Sequence, residues 1–182
     1  TMYSDAAKGI KRCAHQTVLY DILNALTHLL APILSFTCEE VYKTYFDKGK
    51  SVHLGNFPDP KDYKRDEKLE EAFNVIFKLK NDVYKAIDEA RSKNIISNNL
   101  EAKVTVFCKE TEDFEKIKNY GNDIKEYLII SDLKFSENSI DNVYKGLRFN
   151  VKIEKAGGSK CERCWQYAES VGSFNDHPTL CE

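Results

Sequence analysis

The sequence predicts an α+β protein: an antiparallel helical-bundle portion, then a small α+β unit with a mostly antiparallel sheet, then a terminal cysteine-knuckle segment. Three observations support this prediction. Apolar residues recur at helical spacing through the first half of the chain, alternating strand patterns follow, and the closing stretch KCERCWQYAESVGSFNDHPTLCE contains a C-x₂-C pair. We expect the domain divisions to be 1–62, 63–156 and 157–182.

Length and composition fit one domain or two small ones. The 182 residues are 42% hydrophobic and 31% charged, with a net charge of −2. This charge excludes a generally basic nucleic-acid binder, so contact with RNA or DNA requires a local patch. The longest apolar run is interrupted by Asn24, His28 and Pro32 and is too short to cross a bilayer. The opening residues lack a secretory signal, so we expect a cytoplasmic protein without membrane contacts.

Two helices are predicted in the first portion. Over residues 4–30, apolar side chains recur at spacings of three and four and define one face: Val18, Ile22, Ala25, Leu26, Leu29 and Leu30. Pro32 breaks this pattern. Thr37 and Glu40 match a capping box, which predicts a second helix over residues 38–46. Because the connecting turn is short, the two helices are expected to pack antiparallel.

A linker, a long helix and a sheet are predicted next. Residues 47–65 have the Gly, Pro and charge content of a linker, and a helix over 66–93 has acidic residues at its start and basic residues at its end. Strands are predicted over three stretches, with a short helix around Phe114 and Ile117 between the first two: 102–108, 127–135 and 147–154. In the last strand the expected inward-facing residues are Leu147, Phe149, Val151 and Ile153.

The six cysteines fall into two groups. Three lie singly among apolar residues and are expected to be buried: Cys13, Cys38 and Cys108. The other three lie near the end of the chain. Cys161 and Cys164 form the C-x₂-C pair, and Cys181 follows after sixteen residues. This spacing is typical of a structural zinc site with thiolate ligands.

The fourth ligand of such a site is open at this stage. Cys181-Glu182 begins to repeat the first knuckle, so we expect a further cysteine just beyond Glu182. His177 is a less suitable substitute because Pro178 limits its orientation, and the absence of any zinc site is also considered. A redox role is less favoured, because a Gly-Gly loop rather than a strand precedes the pair.

Two residues of the knuckle are candidates for RNA contact. Arg163 and Trp165 flank Cys164, and an indole ring can stack on an unpaired base while a guanidinium meets a phosphate or a base edge. The competing interpretation is that Trp165 merely packs on the knuckle. From Lys145 to Trp165 six basic residues accompany two acidic ones, a local balance of +4 that favours a contact with RNA.

Several motifs resemble the bacterial isoleucyl-tRNA synthetases, a family of class I aminoacyl-tRNA synthetases. They are QTVLYDILNALTHLLAPILSFTCEEVY, SVHLGNFP, NNLEAKV and KCERCW followed by HPTLCE, in collinear order over nearly the whole chain. The chain departs from the family pattern IGxSLEA, because Ser97 and Asn99 stand at the Gly and Ser positions. No HIGH-type or KMSKS-type motif occurs in it, so the catalytic and editing domains are absent from this chain.

The resemblance implies that the chain binds the anticodon arm of isoleucine tRNA. The intact enzyme would be an ATP-dependent ligase that uses Mg²⁺ in its catalytic domain and contains one structural Zn²⁺. It is expected to be a monomer with no DNA partner. The expected RNA-binding residues are Arg163, Trp165, Arg12, Lys11 and Lys160.

Two other functions are considered. A DNA repair glycosylase can end in a similar zinc finger after a helical region, although the helical pair and the long third helix argue against it. The second is a protein-interaction module whose terminal segment is stabilised by zinc.

Overall fold

The computed structural model describes residues 2, 4–46, 49–60, 64–138 and 143–181. The chain divides into two compact units, Thr1–Arg65 and Asp66–Glu182. The first unit is helical and the second combines helices with a mostly antiparallel sheet, which confirms the predicted α+β class. The predicted three-part division at 1–62, 63–156 and 157–182 stays a prediction.

The first unit contains helices α1 (Ile10–Leu30) and α2 (Ser35–Tyr45). The predicted capping box is wrong, because α2 begins before Thr37 and no side chain caps its first turn. Glu40 therefore lies inside the helix. The carboxylate that does organise this region is its neighbour Glu39, which accepts hydrogen bonds from a serine hydroxyl and a backbone N–H in the following loop.

The first unit has a small core. Its buried apolar residues, against which Tyr42 packs, are Ala31, Cys38 and Val52. The predicted apolar face of α1 is largely exposed, and Val18, Ile22 and Leu26 are each about half exposed. Cys38 is buried as predicted, whereas the prediction for Cys13 is wrong because that residue is exposed.

The second unit opens with the long helix α3 (Glu67–Ser92), close to its predicted bounds. The helix begins where it does because the Asp66 carboxylate accepts a hydrogen bond from the Leu69 N–H at 3.1 Å, satisfying one of the N–H groups that a helix start leaves unpaired. Its apolar face, from Ala72 to Ala90, is buried along its length.

A four-stranded sheet follows α3. Its strands are β1 (Ala102–Cys108), β2 (Asp132–Ser136), β3 (Tyr144–Lys145) and β4 (Phe149–Lys155), in the spatial order β2-β1-β4-β3. The β1–β2 pair is parallel and the other two pairs are antiparallel. The parallel pair requires a crossover connection, which is supplied by helices α4 (Thr111–Ile117) and α5 (Gly121–Leu128).

The core of the second unit lies between α3 and the sheet. Val104 and Val106 of β1 and Phe149 and Val151 of β4 point into it, as the period of two predicts. Cys108, at the end of β1, is only half-buried, so its predicted burial is not realised in full.

A buried carboxylate holds the turn before β4 against α3. Asp82 is 6% exposed, and its oxygens accept hydrogen bonds from the backbone N–H groups of Leu147, Arg148 and Phe149 at 3.2–3.4 Å. A Cβ at Gly146 would overlap the Asp82 carboxyl group, so only glycine fits there. The turn directs Leu147 outward with 88% of its surface exposed, and the prediction that Leu147 faces inward is therefore wrong.

The predicted strand over 127–135 is two elements. Helix α5 extends to Leu128, Ile129 ends it in the left-handed conformation at φ 56°, and β2 begins only at Asp132. Ile130 and Leu128 are buried in the core from the helix end and the connecting turn. A continuous apolar run thus arose from a helix terminus joined to a strand, which periodicity alone does not separate.

Candidate metal centre and nucleic-acid interface

The C-x₂-C pair lies in the loop of a small β-hairpin. Strands β5 (Ser159–Lys160) and β6 (Tyr167–Ala168) pair antiparallel, and the Cys161 N–H donates to the Gln166 carbonyl at 2.9 Å. At the base of the hairpin, Gly158 has φ 81° and a Cβ there would overlap the backbone of β6. The Gly-Gly sequence is therefore a close-packed turn that begins the knuckle.

The three terminal cysteines form one cluster. The Sγ atoms of Cys161, Cys164 and Cys181 all lie within 4.8 Å of one another, and those of Cys164 and Cys181 are 3.5 Å apart. That separation is far longer than the bond of about 2.05 Å in a disulfide. Tetrahedral sulfur ligands at about 2.3 Å from Zn²⁺ lie about 3.8 Å from each other. The cluster therefore fits the thiolate part of a zinc site.

The environment of the cluster lowers the pKa of one cysteine, Cys161, and raises that of another, Cys181. Burial raises the pKa of Cys161, but hydrogen bonds from the backbone N–H groups of Cys164, Cys181 and Arg163 outweigh it and lower the pKa to about 6. Burial and the neighbouring sulfurs raise the pKa of Cys181 to about 12. A cation among the sulfurs relieves the repulsion between thiolates, so metal binding is coupled to release of the remaining thiol protons.

The proposed substitute ligand does not join the cluster. Among the described residues, the group that brings potential ligand atoms together consists of the three cysteines alone, and His177 lies outside it. His177 instead lines a neighbouring cavity of about 330 Å³ together with Arg163 and Phe174. The predicted fourth ligand beyond Glu182 falls outside the described residues, so the full ligand set stays a prediction.

Trp165 is presented at the surface of the knuckle. Its ring is 59% exposed, and the Lys160 ammonium lies 4.9 Å from the ring centroid, within the range of a cation–π contact. The backbone N–H of Trp165 donates to the Cys161 carbonyl at 2.9 Å and closes the knuckle turn, and the Trp165 backbone has φ 67°. Positive φ is uncommon for a bulky residue and is a pointer to a functional site. Packing on the knuckle does not cover this ring.

The other predicted RNA-binding residues lie in both units. Arg163 is exposed beside Trp165 on the knuckle. Lys11 and Arg12 lie on α1 in the first unit. Lys11 is exposed, whereas Arg12 is half-buried and donates to the Asp5 carbonyl at 3.4 Å. The structure thus brings Lys160, Arg163 and Trp165 together on one hairpin.

Part of the predicted basic patch is used within the fold. The Arg148 guanidinium donates to both oxygens of the Asp113 carboxylate, at 2.8 and 3.0 Å, and this partner raises the pKa of Arg148. Lys152 pairs with Glu154 at 3.0 Å. Arg148 and Lys152 are therefore engaged within the fold, whereas the other basic residues of the stretch, Lys145, Lys155, Lys160 and Arg163, are exposed.

Sequence reasoning missed a cavity beside Trp165. The cavity measures about 400 Å³ and is lined by residues 98–100, Ile129 and the hairpin residues Lys160, Trp165 and Tyr167. Residues 98–100 precede β1, whereas the hairpin comes some sixty positions later, so only the fold brings them together.

Comparisons with known proteins identify the family. The family model described as "Anticodon-binding domain of tRNA ligase" matches residues 1–106, and the chain belongs to that family. Curated relatives named isoleucine–tRNA ligase align with 99% of the chain. Those of Syntrophotalea carbinolica and Fervidobacterium nodosum are each 36% identical to it, and that of Staphylococcus epidermidis is 38% identical.

The alignments define how the chain relates to these proteins. They cover 20%, 20% and 19% of the three relatives, so the chain spans about a fifth of the length of the curated relatives it matches. The predicted resemblance to the isoleucyl-tRNA synthetases is confirmed, and the DNA repair glycosylase alternative finds no support. Among the described residues, no helix combines the length and hydropathy needed to cross a membrane.

Proposed function

We propose that the chain binds the anticodon arm of isoleucine tRNA as part of an isoleucine–tRNA ligase. The observation that carries this proposal is the exposed Trp165 ring, set under Lys160 on a cysteine knuckle, in a chain of the anticodon-binding family. Sequence-specific recognition of RNA favours unpaired bases that stack on aromatic side chains. An anticodon loop offers such bases.

Each site residue has a distinct role in this proposal. Trp165 stacks on an unpaired base, and Arg163 contacts a phosphate or a base edge next to it. Lys160 contacts the backbone that leads to the stacked base. Lys11 and Arg12 act from α1 as phosphate contacts, which position the arm without reading its sequence.

Zinc has a supporting role in the proposed function. Cys161, Cys164 and Cys181 hold one structural Zn²⁺, which supplies a rigid crosslink in a segment with little apolar core. The residues that it fixes in place are Arg163 and Trp165, because both lie within the knuckle turn. His177 is not a ligand in this proposal.

The whole ligase, of which this chain is a segment, attaches isoleucine to its tRNA with ATP and Mg²⁺ in a catalytic domain outside this chain. We propose that the ligase is a cytoplasmic monomer that binds neither DNA nor membranes.

Fluorescence anisotropy with a labelled anticodon-arm RNA of isoleucine tRNA tests the proposal. Affinity is expected to fall as salt rises, and Lys160→Ala is expected to reduce the magnitude of the log–log salt slope by about 0.7–1. Trp165→Ala is expected to weaken binding by about 1–3 kcal/mol through lost stacking. Lys85→Ala, an exposed lysine on α3, is the matched control and leaves both quantities unchanged.

The arm of an unrelated tRNA is the specificity control. Equal affinity for the two arms contradicts the anticodon role. If binding is also insensitive to Trp165→Ala and Lys160→Ala, the protein-interaction module becomes the better interpretation of the knuckle.

A further inference from the structure

The cavity beside Trp165 has the walls of a binding pocket. Its volume of about 400 Å³ lies in the range of small-ligand pockets. One wall is the short turn of residues 98–100, a second is Ile129, and the third is the hairpin face that carries Lys160 and Trp165. The pocket therefore combines apolar, aromatic and amide groups around one open space.

Hydrogen bonds fix the two main walls relative to each other. Ser131 is buried, and its hydroxyl donates to the Leu100 carbonyl on one wall and accepts from the Tyr167 N–H at 2.7 Å on the other. The Glu101 carboxylate accepts from the Ser97 N–H at 2.9 Å, which holds the turn. The pocket is thus formed before any ligand arrives, which reduces the entropy lost on binding.

The amide groups of the first wall have defined orientations. Asn99 Oδ1 accepts a hydrogen bond from Arg91 Nη2 at 2.7 Å. Because arginine only donates, this bond assigns the oxygen, and the Asn99 amino group is the donor that remains for a ligand. Asn98 Nδ2 donates to a Glu101 carboxylate oxygen at 3.2 Å, which likewise leaves the Asn98 carbonyl oxygen as an acceptor.

We propose that this pocket binds one unpaired RNA base, which stacks on Trp165 while the amides of Asn98 and Asn99 read its edge. The inference rests on the proposed function and adds to it a site for base discrimination. Every nucleobase has an edge on which a hydrogen-bond donor lies next to an acceptor. The Asn98 acceptor and the Asn99 donor have a fixed arrangement, so they complement the edges of some bases and not of others. Lys160, which lines the pocket with its ammonium over the Trp165 ring, supplies the cation for the phosphate of the same nucleotide.

The single tryptophan of the chain makes the pocket directly observable. Trp165 is the only tryptophan, so its intrinsic fluorescence reports this site alone. The probes are four trinucleotides, UpApU, UpCpU, UpGpU and UpUpU, which differ in the central base. We expect saturable quenching, with a spread of at least about fivefold between the tightest and the weakest trinucleotide, as one good base-edge contact supplies.

Variants separate base reading from stacking. Asn99→Ala is expected to reduce the spread among the four trinucleotides to less than about twofold, with quenching retained. Asn99→Ser, which keeps a short polar side chain at this position, is expected to change which central base binds tightest. Asn74→Ala, an exposed asparagine on α3, is the control and leaves the spread unchanged. Far-UV circular dichroism verifies that each variant is folded.

Each outcome bears on a different part of the argument. Absence of saturable quenching, while anisotropy still shows specific binding of the anticodon arm, overturns the pocket and leaves the proposed function intact. A spread that survives Asn99→Ala overturns base reading by the amides. Loss of trinucleotide quenching together with loss of arm binding in the unsubstituted chain overturns both the pocket and the proposed function.

Discussion

Ser131→Ala is expected to loosen the knuckle from the sheet. The Ser131 hydroxyl bonds both the turn before β1 and the hairpin that carries Trp165, through the Leu100 carbonyl and the Tyr167 N–H. The residue is 7% exposed, so water does not readily replace the lost hydroxyl. Alanine removes the hydroxyl and leaves a donor and an acceptor without that partner.

The size of the effect follows from the groups left unpaired. A buried donor or acceptor without a partner costs about 1–3 kcal/mol, and Ser131→Ala removes the partner of two part-buried groups, the Tyr167 N–H and the Leu100 carbonyl. Ser131→Ala is therefore expected to lower the free energy of unfolding of the second unit by about 2 kcal/mol. Because Tyr167 lines the pocket, the variant is also expected to weaken trinucleotide quenching.

Urea denaturation followed by Trp165 fluorescence measures this loss, since the only tryptophan lies in the second unit. Ser92→Ala is the matched control. The Ser92 hydroxyl is exposed and donates to a carbonyl of its own helix, so its removal is expected to change stability by no more than about 0.5 kcal/mol. If Ser131→Ala and Ser92→Ala shift the urea midpoint equally, the hydroxyl does not join the two walls.

Three further predictions follow from the structure. Asp82→Ala leaves three backbone N–H groups without their acceptor and is expected to destabilise the second unit by about 3 kcal/mol, whereas Asp88→Ala, exposed on the same helix, is nearly neutral in urea denaturation. Cys164→Ser is expected to lower Zn²⁺ affinity at least about tenfold, measured by competition with a chromogenic chelator, and the exposed Cys13→Ser leaves it unchanged. Hydrogen bonds from Lys43 and from the following loop lower the pKa of Glu39 from 4.5 to about 2. The melting temperature of the wild type is therefore expected to exceed that of Glu39→Gln above pH 4.5, and the difference is expected to disappear as the pH falls towards 2.

The local signals in the sequence predicted the elements that local chemistry determines. Asp66 marked the start of α3 because an N-cap carboxylate acts within three residues of the chain. The alternation in β4 placed Phe149 and Val151 correctly because strand geometry alone sets which residues face the core. The same alternation failed at Leu147, where a buried carboxylate from α3, sixty-five positions away, determines the backbone instead.

The capping box failed for a related reason. Thr37 and Glu40 have the spacing of a box, but the turn after α1 already starts α2 at Ser35. The neighbouring acidic side chain, Glu39, bonds the loop that follows the helix instead. Sequence spacing identifies residues that are able to cap a helix, and the tertiary connection decides where the helix starts.

The candidate site was predictable to the extent that it is local. The spacing of Cys161, Cys164 and Cys181 predicted one cluster, and the structure contains it. The neighbours of Trp165 were not predictable, because the turn at Asn98 and Asn99 is brought to the knuckle by long-range contacts, including the two hydrogen bonds of Ser131. A pocket formed by such long-range pairing has no signature in the spacing of its residues.

The conformation of Trp165 connects the metal centre to the pocket. A left-handed backbone at a residue other than glycine is unfavourable by roughly 1–2 kcal/mol, and glycine closes the same turn without that cost. A residue that served only to close the knuckle would therefore be better as glycine. The turn instead holds a large ring that is 59% exposed, beside a lysine and facing an open cavity. The left-handed backbone places the ring where a ligand can meet it, and the metal proposed for the three cysteines would hold it in that place.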